Sequence, residues 1–237
     1  MCGRFALHSD GSEIITRFGV QETLFDLKPR YNIAPTQQIA VITQDNIRTL
    51  SGYKWGLIPS WAKDTQMASK MINARSETLL EKPSFRKSLI SKRCLIPANG
   101  FYEWQQVGKS KIPIYVQLKS KKLFAFAALW DEWQSVEGEK IRSTTIITTE
   151  PNPLLAKLHH RMAVMLLPEQ ENIWLDSKIK DPNQLLKLLT QYPESELEYF
   201  PVSKLVNNTS FDRPECIKAL ETLEIQEPIK PIQESFW

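Results

Sequence analysis

Between residues 94 and 167 the chain repeats one pattern, a short run of β-branched or aromatic residues followed by a break. The runs fall at 94–96, 101–104, 114–118, 123–130, 143–148 and 163–167. Two more, 38–43 and 47–55, flank Asp45-Asn46 and predict a hairpin. Most of the elements are therefore strands. Helices fit around them. One is expected over 11–18, where Ser9, Asp10 and Ser12 offer capping oxygens before Ile14, Ile15 and Phe18, and Gly19 follows. Others are expected over 84–92 after Pro83, over 168–175 and over 182–189, with a last strand near 198–202. The expected class is α+β: a single compact domain, mainly antiparallel or mixed β-strands in a barrel-like sheet, with peripheral helices.

The 237 residues contain eight glycines and no glycine-rich linker, which favours one domain over two. Surface scaling lets a chain of this mass bury roughly 72% of its surface. A composition 42% hydrophobic and 24% charged is that of a globular protein. We place a catalytic domain at residues 1–205. A peripheral tail is expected over 206–237, with one helix-compatible stretch at 214–223 before Pro228 and Pro231.

Several function classes drop out. No apolar run reaches the roughly 18 residues of a membrane helix, and the N-terminus lacks a secretory pattern. The expected location is cytoplasmic (nucleoid-associated) or nuclear, not secreted, with no membrane and no obligate protein partner. Cys2, Cys94 and Cys216 are too far apart for a disulfide framework or a CxxC zinc site. A net charge of +3 is too small to hold duplex DNA by counterion release alone, so any nucleic-acid site must be local.

Chemistry concentrates in four places. If Met1 is removed, Cys2 carries a free α-amine and a thiol on one carbon frame, with ordinary pKa values of about 7.7–8.0 and 8.5. Such an aminothiol either attacks an acyl group through sulfur, with the amine as base, or condenses with an aldehyde to an imine and then a thiazolidine ring. Asn73-Ala74-Arg75-Ser76-Glu77-Thr78 groups an amide, a guanidinium and a carboxylate; by itself it also reads as a helix start capped by Ser76. Gly100-Phe101-Tyr102-Glu103-Trp104 sets a carboxylate on a strand, on the face opposite Tyr102 and Trp104. That carboxylate is either an exposed strand charge or a desolvated general acid/base. Leu158-His159-His160-Arg161-Met162 holds two of the three histidines, which strand or helix geometry would point in different directions. No third histidine or acid stands at ligand spacing, so no metal is expected.

With Met1-Cys2-Gly3-Arg4-Phe5, Arg30-Tyr31-Asn32-Ile33-Ala34-Pro35, Trp55-Gly56-Leu57-Ile58-Pro59-Ser60-Trp61, the segment 94–104 and Ile147-Thr148-Thr149, these motifs resemble the SOS-response-associated peptidase (SRAP) family, abasic-site processing proteins that crosslink themselves to damaged single-stranded DNA. The resemblance spans about residues 1–205 in order. It implies that Cys2, after loss of Met1, attacks C1′ of a ring-opened abasic sugar, that Asn73 holds the N-terminal residue and the sugar, and that Glu103 and His159 are catalytic. It further implies that Arg4 and Arg75 hold phosphates, that Thr148 makes a backbone contact, and that Trp61 and Pro35 lie near the bound strand. Single-stranded DNA containing abasic sites is the implied partner, no cofactor is implied, and the family name adds a peptidase activity that fits removal of Met1. Ala163 stands where the family usually has Pro. Two other functions stay open: an N-terminal-Cys amidohydrolase or glutamine amidotransferase, and a non-catalytic single-stranded DNA binding module.

Overall fold

A computed structural model describes residues 2–220. The chain begins with β1 (Phe5–Leu7), α1 (Gly11–Phe18), β2 (Glu22–Thr23), β3 (Arg30–Ile33), β4 (Gln38–Gln44), β5 (Arg48–Trp55) and β6 (Asn73–Arg75). It continues through α2 (Pro83–Ser91), β7 (Arg93–Ala98), β8 (Gly100–Val107), β9 (Ser110–Leu118), β10 (Phe124–Gln134) and β11 (Lys140–Thr149). It closes with α3 (Pro153–Ala156), β12 (Met162–Ala163), β13 (Met165–Leu166), α4 (Pro168–Leu175), α5 (Pro182–Leu186) and β14 (Leu197–Pro201).

Two sheets carry the fold. The smaller has the order β14-β9-β8-β1-β3, and all its pairs are antiparallel. In the larger, β11-β10-β7-β4-β5 runs in sequence and β5 pairs again with β11, in parallel, so five strands close on themselves. Closure removes the exposed edges that an open sheet would present. The barrel-like, mixed architecture expected from the sequence is the one observed. No described helix is long and apolar enough to cross a membrane.

Along β11 the parallel partner changes from β5, at Ser143 and Thr144, to β6, at Ile146–Thr148. Residues 56–72 leave the barrel between them. Gly56 makes that exit possible: its φ is 125°, and a Cβ there would stand 2.3 Å from the carbonyl oxygen of Ala68. The excursion is tied down by Ser60 N–H to Asp131 (2.7 Å) and by Trp133 Nε1 to the Ala62 carbonyl (2.7 Å), which leaves Trp61 displayed between two anchored neighbours.

Helix α1 has the expected bounds, with Asp10 accepting from Glu13 N–H and Gly19 closing the end at φ 61°. The hairpin β4–β5 and α2 also lie where their signals put them. The expected strand over 163–167 is divided into β12 and β13, because the Val164 N–H turns to the Ile147 carbonyl while its own carbonyl accepts from Ala127. Helix α5 ends at Leu186 rather than 189.

The expected tail is corrected in its first part. Val206 and Cys216 are fully buried, and Asn32 Nδ2 on β3 lies within hydrogen-bond distance of the carbonyls of Val206, Asn208 and Phe211 (3.1, 3.0 and 2.7 Å). Asp212 binds Arg30 Nε at 2.6 Å and accepts from the Asn32 N–H at 2.9 Å; Ala219 bridges to Val202. Residues 206–219 thus close over the small sheet, and the 214–223 helix is instead a 3-10 turn over Pro214–Ile217. The remainder of that expectation lies outside the described residues.

Asn32 is fully buried and serves this closure with both ends of its amide, since Oδ1 accepts from Arg4 at 2.6 Å. Asn32→Ala strands buried carbonyls and a guanidinium, each costly to leave unpaired, so the variant should lose about 2–3 kcal/mol in urea unfolding. A loss below about 0.5 kcal/mol, the range of ordinary surface substitutions, would mean that residues 206–212 do not belong to the core.

Candidate functional site

The site begins with the register of β1. Phe5 pairs with Phe101 and Ala6 with Gly100, and Tyr102 N–H reaches the Arg4 carbonyl at 2.9 Å. Extended toward the N-terminus, this register brings Gly3 opposite Glu103 and delivers Cys2 to the same end of β8. Asn73 Nδ2 then donates to the Cys2 carbonyl at 2.9 Å. Cys2 is fully buried. Burial, and after it the nearby charge of Glu103, push its thiol up to about 12.

Alternation on β8 is as expected. Phe101 enters the main core while Tyr102 and Trp104 pack in the small cluster with Tyr115, so Glu103 faces the Cys2 side. It is 5% exposed, and burial raises its carboxyl above the ordinary range. Of the two readings of this carboxylate, the desolvated one is observed.

The segment from Asn73 is not a helix start. Residues 73–75 form β6 along β11, and a 3-10 turn over Ser76–Thr78 follows whose N-cap position is Arg75, not Ser76, with no side-chain cap hydrogen bond. Ala74 points into the core at 1% exposure, so Asn73 and Arg75 share the opposite face of the strand. Arg75 is exposed beside the site.

His159 arrives on a turn after α3, whose N-cap Asn152 is itself buried. Its Nδ1 lies 3.0 Å from the Arg161 N–H and 3.3 Å from the Arg161 carbonyl oxygen. Burial lowers its pKa. The expectation that the two histidines diverge is corrected: in a turn neither strand nor helix geometry applies, and the His159 and His160 rings stack with centroids 4.2 Å apart. His160 is the exposed member.

The sequence reading passed over the pair that holds this turn. Arg161, 9% exposed, binds Glu77 through both terminal nitrogens (2.7 and 2.9 Å) and reaches the Thr148 carbonyl at 2.7 Å. Both residues stand inside the quoted motifs, but nothing local signals that they meet. Thr148 is thereby removed from the surface: it is fully buried, its carbonyl is taken, and its hydroxyl faces the Ala74 carbonyl. This geometry favours support of the site from inside over a contact to the strand.

Arg4 is also drawn inward. Its Nη1 contacts Asn32 Oδ1 and the Val206 carbonyl at 2.6 Å each, and its guanidinium lies 5.7 Å from the Trp104 ring centroid. This geometry favours a structural role over the phosphate contact. Among the remaining residues assigned to the bound strand, Trp61 is 58% exposed, Arg75 is exposed and Pro35 is half-buried. Among the described residues no group of three or more His, Cys, Asp or Glu is placed to hold a metal ion.

Comparison with known proteins agrees with the motifs. The family described as SOS response associated peptidase (SRAP) matches residues 1–209. The abasic site processing protein YoqW of Bacillus subtilis (strain 168) is 48% identical over 92% of this chain and 100% of its own. The abasic site processing protein HMCES of Xenopus tropicalis is 33% identical over 81% of this chain and 67% of its own. A crystal structure of a protein from Bacteroides thetaiotaomicron superposes with a TM-score of 0.85 at 26% identity, covering 92% of this chain and 100% of that one.

The buried carboxyl makes a testable demand on stability. A carboxyl whose folded pKa is raised contributes fully below its unfolded value, ordinarily 4.5, and that contribution is lost as pH rises through the folded value. Glu103→Gln removes the charge that must be buried at neutral pH. The variant should have a higher urea midpoint than the parent at pH 7, with the gap closing by about pH 4. A lower midpoint at pH 7 would contradict the desolvation of Glu103.

Proposed function

The chain belongs to the SOS response associated peptidase family, and from that premise we propose that it processes abasic sites in single-stranded DNA through a covalent bond to Cys2. The observation that carries the proposal is the assembly of buried Cys2, half-buried Asn73 and buried Glu103 at the end of β1, with His159 near enough to feel the charge of the chain's N-terminus. The family match replaces the glutamine amidotransferase reading.

Removal of Met1, which lies outside the described residues, frees the Cys2 amine. The peptidase in the family's name fits that self-processing step. An abasic deoxyribose is mostly a closed hemiacetal, so its ring must first open, and an imidazole beside the site can move the proton that this requires. Asn73 fixes Cys2 by its carbonyl while the amine adds to C1′. Glu103, its proton affinity raised by burial, shuttles protons so that the carbinolamine oxygen leaves as water and an imine forms.

The amine goes first because of the difference in acidity. An α-amine near 8 is partly free base at neutral pH, whereas a thiol pushed up to about 12 is almost wholly protonated. Sulfur then adds to the imine carbon and its proton passes to nitrogen, closing the thiazolidine. One water is released overall and nothing is oxidised or reduced. Around this centre the Arg75 guanidinium suits a flanking phosphate and the displayed Trp61 ring suits a stacked base.

With an oligonucleotide carrying one abasic site, the parent protein should give a covalent shift in denaturing gels, and its intact mass should correspond to loss of Met1. Cys2→Ala should abolish the stable adduct while leaving an imine that borohydride traps. His159→Ala should slow crosslinking by about 10² to 10⁴, the usual worth of general acid/base assistance, and His160→Ala far less. Reversible binding without any covalent product would return the protein to the class of simple single-strand binders.

A further inference from the structure

The Arg161 main chain offers His159 two incompatible partners at nearly equal range. Its N–H lies 3.0 Å from Nδ1 and its carbonyl oxygen 3.3 Å away. If the N–H is the partner, Nδ1 must accept, and a neutral ring carries its proton on Nε2. If the carbonyl is the partner, the proton sits on Nδ1. A shift of residue 161 by a few tenths of an ångström decides between them, so whatever fixes residue 161 selects the tautomer.

What fixes it is a clamp from another part of the fold. The two terminal nitrogens of Arg161 meet the two oxygens of Glu77, and one of them also meets the Thr148 carbonyl on β11. Glu77 stands on the 3-10 turn directly after β6, the strand that carries Asn73 and Arg75. Its side chain is 46% exposed against 10% for Arg161, so the carboxylate closes the clamp from the solvent side. A half-exposed ion pair adds little to global stability. Its planar two-point geometry, however, restrains orientation strongly.

We propose that Glu77 is a positioning residue for His159: by locking the Arg161 guanidinium it holds the Arg161 N–H against Nδ1 and keeps the proton of the neutral imidazole on Nε2. The proposal rests on the reading of His159 as the group that opens the sugar ring, and it explains how that group is aimed. The arrangement repeats the logic of an oriented base, in which a third group selects the tautomer of the imidazole that does the chemistry. Other groups also bear on the titration of His159: besides burial, these are the charge of the chain's N-terminus, and His160 and Arg161 on its own turn. Glu77 and the Thr148 carbonyl act through the clamp, and Glu77 is its charged member.

The test uses the full-length protein with its three histidines labelled by ¹⁵N and the His159 signals assigned with His159→Asn. Long-range proton–nitrogen spectra of the parent should show Nδ1 of His159 unprotonated at pH 7.5. In Glu77→Ala the signals should move toward a mixture of tautomers, and the titration midpoint should rise toward the ordinary 6.5 as the loosened turn admits water. Glu77→Gln, which keeps one hydrogen bond to Arg161, should fall between the two. On abasic DNA, Glu77→Ala should crosslink about tenfold more slowly, with its pH–rate midpoint displaced in the same direction as the titration. Affinity for a strand bearing a non-reactive sugar analogue should stay within about twofold. A Glu77→Ala protein whose His159 tautomer and titration match the parent's overturns the proposal. A parent that forms no crosslink overturns the functional reading instead, and the spectra still decide the role of Glu77.

Discussion

The docking of one phenylalanine near the chain's beginning holds the site together. Phe5, 1% exposed, extends from the small sheet to rings of the barrel, edge-on to Trp55 at 5.3 Å and to Phe126 at 6.0 Å. Burying a side chain of this size stabilises by roughly 2–3 kcal/mol, and the ring geometry adds about 1. Residues near a chain end ordinarily fray, because few contacts oppose their conformational entropy. Here only Gly3 and Arg4 separate a firmly packed ring from Cys2, and the Asn73 amide holds the Cys2 carbonyl. The proposed nucleophile, which would otherwise sample many positions, is confined to one.

Around that anchor the molecule buries charge in two different ways. Arg93 shows the structural way: 6% exposed, it donates to the carbonyls of Leu89, Ile90, Trp174, Asp176 and Ile179, satisfying the ends of α2 and α4. Arg4 and Arg161 follow the same rule, each with side-chain and carbonyl acceptors around it. Glu103 and Cys2 follow another. Burial disfavours the charged form of each, so the fold holds a carboxyl and a thiol that would be more easily ionised in water. Strained protonation is common at reactive centres, yet Arg93 shows that a buried charge alone does not make one.

What the sequence made legible follows from the range of each interaction. Helix α1 was readable because its cap, its apolar spacing and its closing glycine lie within ten residues. The hairpin β4–β5 was readable for the same reason. Strands β1 and β6 were not, since three residues cannot establish a period. Asn73 to Thr78 also carries the Ser and Glu of a helix start, and only the non-local pairing with β11 overrides that signal. Cys2, Asn73, Glu103 and His159 were named through their motifs. Their supports were not, because Arg4 meets a carbonyl 202 residues away and Arg161 meets a carboxylate 84 residues away. The stacked histidines failed for a related reason: the rule that neighbours diverge belongs to regular elements, and this turn is not one.

The distribution of exposure also bears on which DNA suits the proposed reaction. Cys2 is fully buried and Glu103 nearly so, while Trp61 and Arg75 stand at the surface. A sugar must therefore leave the path of the strand and enter the protein before its C1′ meets the amine. In a duplex that movement breaks stacking and pairing on both sides, at a cost of a few kcal/mol, whereas a single strand already lacks the pairing. At an abasic position there is no base to unstack or to accommodate, so the cost is least where the aldehyde is latent. In the proposed reaction a stacking ring outside and a desolvated aminothiol inside would thus select the same substrate by two independent means: the surface would favour unpaired strands, and the buried Cys2 a sugar that has lost its base.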